Sequence, residues 1–317
     1  MNEAGGALTK YDRLIAAAKR VPAVPTLVVH PCDEGSLRGA LDAAEAGIIK
    51  PILVGPAAKI RDTAAKFGLN IAGYDVVDAP HSEAAAAKAV EMIHEGKGEA
   101  LMKGSLHTDE LMRSVTAKVG GLRTERRISH VFIMDVPAYA DTLFITDAAI
   151  NIAPDLDGKR DIIQNVVDLY NLAGFGTTPR VAILSAVETV TTKIPSTIEA
   201  AALCKMADRG QITGAVLDGP LAFDNAIDVE AARIKGIKSE VAGHAQILVV
   251  PDLESGNMLA KNLAYFAHAD GAGIVLGARV PIVLTSRADS PRARMASAAV
   301  AVLYANARRR KAPIAAG

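Results

Sequence analysis

Near its C-terminus the chain reads Ile282-Val283-Leu284-Thr285-Ser286-Arg287-Ala288-Asp289-Ser290-Pro291, and this stretch indicates how the whole sequence folds. Its first three residues are apolar and two of them are β-branched, which is typical of a buried strand. Ser290 is a good N-cap residue, and Pro291 suits the first position of a helix. The polar residues between them therefore form a turn at the carboxyl end of a strand, just before a helix.

The same succession of apolar run, polar turn and amphipathic segment recurs along most of the chain. Continuously apolar, β-branched runs are typical of strands buried on both faces, so the pattern predicts a layered α/β protein with mostly parallel sheets flanked by helices. Pro56 is placed to open a helix that Gly68 closes, and Ser196 with Glu199 predicts a capping box. The predicted strands are residues 26–29, 51–54, 100–102, 131–134, 143–145, 181–184, 215–217, 247–250, 274–276 and 282–284.

Composition excludes several classes of protein. The chain has 317 residues, with 35 Lys and Arg against 35 Asp and Glu, so no global field draws it to nucleic acid or to a membrane. Its two cysteines, Cys32 and Cys204, exclude a disulfide framework and suit a reducing compartment. Neither a signal peptide nor a membrane-spanning run is visible, so we expect a cytoplasmic protein.

The turn after the last strand is a candidate anion site. Ser286, Arg287 and Asp289 lie where ligands gather in open α/β sheets, beside the start of a helix. Helix amides and the planar fork of arginine both match phosphate oxygens. The alternative is an ordinary capped turn in which Arg287 pairs with Asp289.

A second candidate follows the strand at residues 100–102. Gly104 allows close approach of the backbone, while Lys103 and Ser105 offer donors to an anion. The pattern of a P-loop is absent, so a nucleoside triphosphatase is excluded. The alternative is a polar turn between strand and helix.

A third candidate is the loop Gly120-Gly121-Leu122-Arg123-Thr124-Glu125-Arg126-Arg127. Its three arginines could hold a polyphosphate, or the loop could simply be solvated with Glu125 neutralising part of the charge. In the segment Gly271-Ala272-Gly273-Ile274-Val275-Leu276-Gly277 the first two glycines precede a predicted strand instead of following one and opening a helix, which argues against dinucleotide binding. The histidines show no metal-ligand spacing, so we expect no metal site.

Taken together, six segments resemble the phosphate acetyl/butyryltransferase family over nearly the whole chain. They are Leu101-Met102-Lys103-Gly104, Ser129-His130-Val131-Phe132-Ile133-Met134, Leu184-Ser185-Ala186-Val187-Glu188, Asp218-Gly219-Pro220-Leu221, Pro251-Asp252-Leu253-Glu254-Ser255-Gly256-Asn257 and Leu284-Thr285-Ser286-Arg287-Ala288-Asp289-Ser290. The resemblance implies a two-lobed fold like that of the isocitrate dehydrogenases, an active site in the cleft between lobes, and a homodimer. A change of character at residues 143–159 marks the crossing between lobes. We expect the first lobe to take residues 1–146 with 290–317, and the second to take residues 147–289.

The resemblance also implies the reaction acyl-CoA plus phosphate to acyl phosphate plus CoA. In the reverse direction the CoA thiolate attacks the acyl phosphate in a ternary complex, so CoA is a substrate and no further cofactor is expected. The family's Ser-Arg pair matches Ser286 and Arg287. The acetyl branch carries a carboxylate seven residues after that serine, where this chain has Ala293, so Asp289 is the candidate for the base. We expect substrate contacts from Lys103, Ser105, Arg123, Thr124, Ser129 and Asn257.

Three other functions stay open at this point. They are acyl transfer between an acyl-carrier protein and phosphate, a decarboxylating dehydrogenase of the same fold, and a non-catalytic module that binds acyl-CoA. A dehydrogenase needs metal-binding aspartates and a nicotinamide site, and the sequence has neither signature. The length of the acyl group, from acetyl to butyryl, is not fixed by the sequence.

Overall fold

The computed structural model describes residues 9–286 and 289–311, except for the side chain of Lys311. The chain forms two compact units, of which unit 1 takes Met1–Gly121 with Ile282–Gly317 and unit 2 takes Leu122–Pro281. This division differs from the predicted one at 146/147 and 289/290. The physical reason is strand pairing, because the strands at Ser129–Asp135 and Leu143–Thr146 pair with later strands of unit 2.

The first segment of unit 1 alternates helices and strands as the sequence pattern predicts. Its elements are α1 (Lys10–Ala18), β1 (Val24–Val29), α2 (Glu34–Glu45), β2 (Ile49–Gly55), α3 (Ala57–Lys66), β3 (Val76–Asp78), α4 (Ser82–His94), β4 (Ala100–Lys103) and α5 (Thr108–Val115).

Unit 2 continues the alternation after a pair of consecutive strands. Its elements are β5 (Ser129–Asp135), β6 (Leu143–Thr146), α6 (Leu156–Leu172), β7 (Arg180–Leu184), α7 (Pro195–Asp208), β8 (Val216–Leu221), α8 (Phe223–Ile227), α9 (Val229–Ile234), β9 (Ile247–Val249), α10 (Leu253–Tyr265) and β10 (Asp270–Leu276). The chain then returns to unit 1 with β11 (Ile282–Val283) and α11 (Pro291–Lys311).

The strands of unit 1 are ordered β3-β2-β1-β4-β11, and all their pairings are parallel. Parallel strands carry helices on their faces, which is why β1 and β4 are almost wholly buried and apolar. Since all five strands run the same way, their carboxyl ends lie at one edge. That edge receives His30, Lys103 and Thr285 from three neighbouring strands.

The strands of unit 2 are ordered β10-β5-β6-β9-β7-β8. β5 is antiparallel to both β10 and β6, and the pairings from β6 to β8 are parallel. The short connection from Asp135 to Leu143 explains the antiparallel pair, because a parallel crossover needs about a dozen residues or more. The prediction of mostly parallel sheets flanked by helices is confirmed.

The sequence predicted the ends of one helix correctly and the start of another wrongly. Pro56 precedes α3, and Gly68 follows it with a φ of +64°, as expected. The capping box of Ser196 and Glu199 is wrong, because α7 already begins at Pro195 after Ile194. Instead, the Ser196 hydroxyl lies 2.8 Å from that of Ser185, and Glu199 pairs with the buried Lys159 of α6.

Candidate active site

A polar cluster lies at the carboxyl ends of β1, β4 and β11 in unit 1. β4 pairs with both other strands, so the residues that follow the three strands lie side by side. Lys103 ends β4 with only 6% of its surface exposed, and its Nζ lies 3.5 Å from the Thr285 carbonyl oxygen. The structure therefore brings the first and second sequence candidates together at one edge.

The turn after β11 is closed by two hydrogen bonds. The Ser286 amide donates to Oδ2 of Asp289 at 2.7 Å, and the Asp289 amide donates to the Ser286 carbonyl at 3.2 Å. Ser290 caps α11, because its Oγ accepts from the Ala293 amide at 3.1 Å. Ser286 is exposed and Asp289 is half-buried, so a ligand can reach the rim of this turn.

The environment of Asp289 makes its carboxylate more basic than usual. Burial raises the pKa of Asp289 above its ordinary value, while the Ser286 amide and the charges of Arg294 and Lys103 oppose that rise. Desolvation is the largest of these causes, since water no longer stabilises the charged form as well. A carboxylate of raised pKa is a better proton acceptor than an exposed one.

Arg287, the predicted phosphate ligand, lies outside the described residues. Its role stays a prediction from the sequence.

Gly104 is required by the close approach of β1 and β4. A Cβ at this position would lie 2.3 Å from the Val29 carbonyl oxygen and 2.5 Å from that of His30. Both distances are far inside van der Waals contact, so no larger residue fits without a shift of the backbone. The Gly104 amide donates to the Val29 oxygen at 2.9 Å, which fixes the turn.

The hydroxyl of Ser105 is held by the neighbouring loop. It donates to the His30 carbonyl at 2.8 Å, accepts from the Cys32 amide at 3.3 Å, and lies 3.0 Å from Nδ1 of His30. Because the hydroxyl proton already goes to the carbonyl, Nδ1 of His30 is assigned as a donor to Ser105. The predicted ligand contact of Ser105 thus competes with contacts inside the turn.

Two residues at this edge were missed by sequence reasoning. His30 follows β1 with a φ of +55°, and burial is the largest cause that lowers its pKa. Arg294, on the first turn of α11, donates to Thr285 Oγ1 at 3.0 Å and to the Ser286 carbonyl at 2.9 Å. The sequence carries one faint signal for Arg294, which is the pair Gly35 and Gly39 on the helix that packs against it.

In the arginine-containing loop of residues 120–127, two of the three guanidinium groups already have side-chain partners. Arg126 pairs with Asp168 at 2.5 Å, and Arg127 donates to Asn151 Oδ1 at 2.8 Å. Thr124 donates to the Gly277 carbonyl at 2.7 Å. Arg123 is exposed and pairs with no acidic side chain among the described residues. Of the three arginines, Arg123 is the one best placed to meet a ligand.

The remaining predicted contacts in unit 2 have structural partners. Ser129 has no exposed surface, and its hydroxyl accepts from Asn165 at 2.9 Å. Asn257, on α10, donates to the Ala148 carbonyl at 3.2 Å and is partly exposed. Ser129 is therefore placed to hold β5 against α6 rather than to reach a ligand.

Neither cysteine has the environment of a nucleophile. Burial raises the pKa of Cys32 to about 11 and that of Cys204 to about 12, so both thiols are protonated at neutral pH. Among residues 9–286 and 289–311, no three His, Cys, Asp or Glu side chains are grouped to hold a metal ion. No helix in the described part of the chain is long and apolar enough to cross a membrane.

The fold and this polar edge define an α/β protein with a polar turn at the carboxyl ends of parallel strands, the edge at which ligands bind in open α/β sheets. A family model described as "Phosphate acetyl/butaryl transferase" matches residues 81–302, and the chain belongs to that family of phosphate acyltransferases.

Individual relatives agree with this assignment. A phosphate acetyltransferase of Rhizobium meliloti is 72% identical over 308 residues, covering 97% of each chain. A phosphate butyryltransferase of Clostridium acetobutylicum is 41% identical over 298 residues, covering 94% of this chain and 99% of its own. A crystal structure of a branched-chain phosphotransacylase from Enterococcus faecalis superposes with a TM-score of 0.75 at 28% identity, covering 88% of this chain and 98% of the other.

Proposed function

We propose that the protein transfers a short acyl group between CoA and inorganic phosphate, with CoA thiolate attacking the acyl phosphate directly. The observation that carries this proposal is the turn of Ser286 to Asp289, which places a basic carboxylate beside Lys103 at the sheet edge. Acyl transfer to a thiol needs both features, a proton acceptor and positive charge near the leaving phosphate.

In the acyl-CoA-forming direction the proposed steps conserve atoms and charge. The carboxylate of Asp289 takes the proton from the CoA thiol, and the sulfur attacks the carbonyl carbon of the acyl phosphate. The bond between that carbon and the bridging oxygen then breaks, and phosphate leaves with the electron pair. Arg287 and Lys103 balance the charge of the leaving phosphate, while Ser286 donates a hydrogen bond to the reacting oxygen.

The proposal requires no enzyme nucleophile. Both thiols are protonated at neutral pH because burial raises their pKa. The thiol of CoA ionises with a pKa of about 8.5, so it needs only modest help from a base. CoA is a substrate in this scheme, and we propose that no further cofactor takes part.

Exposed apolar side chains on α10 and at its C-cap support a homodimer. Met258, Tyr265 and Phe266 are 60%, 71% and 84% exposed, and apolar side chains grouped on a surface often mark an interface. We propose that a second copy of the chain covers them and that the enzyme works in the cytoplasm. Light scattering measures the mass in solution, and a monomeric mass would contradict the dimer.

The proposed activity is tested by release of CoA from acetyl-, propionyl- and butyryl-CoA. We expect release only when phosphate is present and no effect of EDTA, with acetyl-CoA preferred because the 72% identical relative is an acetyltransferase. Release without phosphate would identify a thioesterase. Turnover of only a long acyl chain on a carrier protein, or binding without turnover, would favour the other functions instead.

A further inference from the structure

Arg294 connects the turn of Ser286 and Asp289 to the end of β11. One terminal nitrogen donates to Thr285 Oγ1 at 3.0 Å, and the other donates to the Ser286 carbonyl at 2.9 Å. Thr285 is buried, with 6% of its surface exposed, so it is a fixed point. The planar guanidinium group thus connects the exposed Ser286 to the buried Thr285.

The Ser286 carbonyl takes part in more than one hydrogen bond of the turn. The same carbonyl accepts the Asp289 amide at 3.2 Å, while the Ser286 amide donates to the Asp289 carboxylate. The Arg294 donor therefore restrains the Ser286 carbonyl, which in turn is hydrogen-bonded to Asp289.

Two glycines of α2 make room for the arginine. A Cβ at Gly39 would lie 3.0 Å from Cδ of Arg294, which is tighter than ordinary contact. A Cβ at Gly35 would lie 3.5 Å from the nearest Arg294 nitrogen, which is normal contact. Glycine costs helix stability relative to alanine, so two on one face of α2 point to a packing requirement.

The geometry points to Arg294 as a positioning residue for the acyl transfer, holding Ser286 and, through it, Asp289 in their reactive arrangement. This inference rests on the proposed function, because it concerns the same turn. Arg294 acts through the turn and does not touch the substrate. It is a role that neither the sequence motif nor the identity of the turn residues reveals.

The test compares Arg294→Ala with Arg292→Ala in the full-length protein. Both changes remove an arginine from the first turn of α11. The Arg292 guanidinium, however, lies over the ring of Tyr11, with its Cζ 3.7 Å from the ring centroid, and not against Ser286. We expect Arg294→Ala to lower kcat about 10- to 100-fold, because small misplacements of reacting groups have such costs. KM for acyl-CoA should stay near the wild-type value, and added ethylguanidinium should restore part of kcat. Arg292→Ala should keep wild-type kcat.

Equal kcat for the two variants, or a loss of kcat in Arg294→Ala that ethylguanidinium does not relieve, would overturn the role. If Arg294→Ala does not fold, Gly39→Ala and Gly35→Ala decide, since both leave every polar group in place. Gly39→Ala should then lower kcat while Gly35→Ala should not, and equal kcat for those two would also overturn it. An inactive wild-type enzyme would instead refute the proposed function, so the two failures are distinguishable.

Discussion

At the scale of single residues, Asp289 has two possible parts in the chemistry. As a base it takes the thiol proton, and its raised pKa suits that task. As an orienting group it holds the turn through the Ser286 amide. The two parts differ in what they predict for a variant that keeps the shape but cannot accept a proton.

Asp289→Asn should lower turnover about 10²- to 10⁴-fold at neutral pH if the carboxylate is the base. In the CoA-acylating direction the loss should shrink as pH approaches about 8.5, because more of the thiol then ionises by itself. Initial rates over a pH series in both directions measure this. A raised phosphate KM with no recovery at high pH would assign Asp289 an orienting role only, and wild-type kinetics throughout would exclude both.

His130 predicts a pH dependence of stability that is separate from catalysis. It is buried on β5, its Nδ1 has no hydrogen-bond partner among the described residues, and burial lowers its pKa from 6.5 to about 4 against the opposing charge of Asp147. Between pH 6.5 and about pH 4 the His130 imidazole therefore stays neutral in the folded protein, whereas in the unfolded chain it binds a proton. Stability from this residue is present above pH 6.5 and is lost as pH falls from 6.5 towards 4.

Urea unfolding of wild type and His130→Leu at pH 5 and pH 7 measures this contribution. The wild type should lose more free energy of unfolding on acidification than the variant, with a difference on the order of 2 kcal/mol. An equal loss of unfolding free energy in the two proteins would show that His130 does not cause the loss of stability on acidification.

Sequence reasoning found the residues that stand in a local pattern and missed those that act across the fold. Ser286, Asp289 and the cap at Ser290 follow from the order strand, turn, helix. Arg294 and His30 acquire their contacts only when α2, α11 and β4 pack beside them, so no residue spacing in the sequence predicts these contacts. Ser129 belongs to a family-like segment, yet it lies at the start of β5, where the first three residues are all buried.

At the scale of elements, the close approach of the turn after β4 to the end of β1 depends on Gly104. Gly104→Ala should destabilise the fold by about 1–3 kcal/mol or more, because the new methyl group meets two backbone oxygens that cannot move away easily. Gly73→Ala is the matched control, since nothing lies within 4 Å of its Cβ position. Urea unfolding compares them, and equal midpoints would refute the proposed backbone clash.

Most strands could be predicted because they are short apolar runs that are largely buried. All ten predicted runs lie in or overlap strands, including those that became β1, β4 and β11. β3 was missed, since Val76–Asp78 is only three residues long and partly exposed. The antiparallel placement of β5 was not expected, because pairing direction depends on the length of connections rather than on composition.

At the scale of the whole molecule, the two units were expected but their limits were not. The polar residues from Asn151 to Gly158 suggested a crossing there, whereas they lie inside unit 2 at the start of α6. Asp155 caps that helix through the Gly158 amide at 2.8 Å, so these residues serve a local purpose. A break in apolar rhythm marks a helix start as readily as a domain boundary.

The central claim is that the acyl group passes directly between phosphate and CoA, and isotope exchange tests it most directly. The enzyme is incubated with acetyl phosphate and radiolabelled phosphate in the absence of CoA. Direct transfer predicts no label in acetyl phosphate until CoA is added, because no acyl-enzyme forms. Exchange without CoA would contradict the account and would point to a covalent acyl-enzyme intermediate.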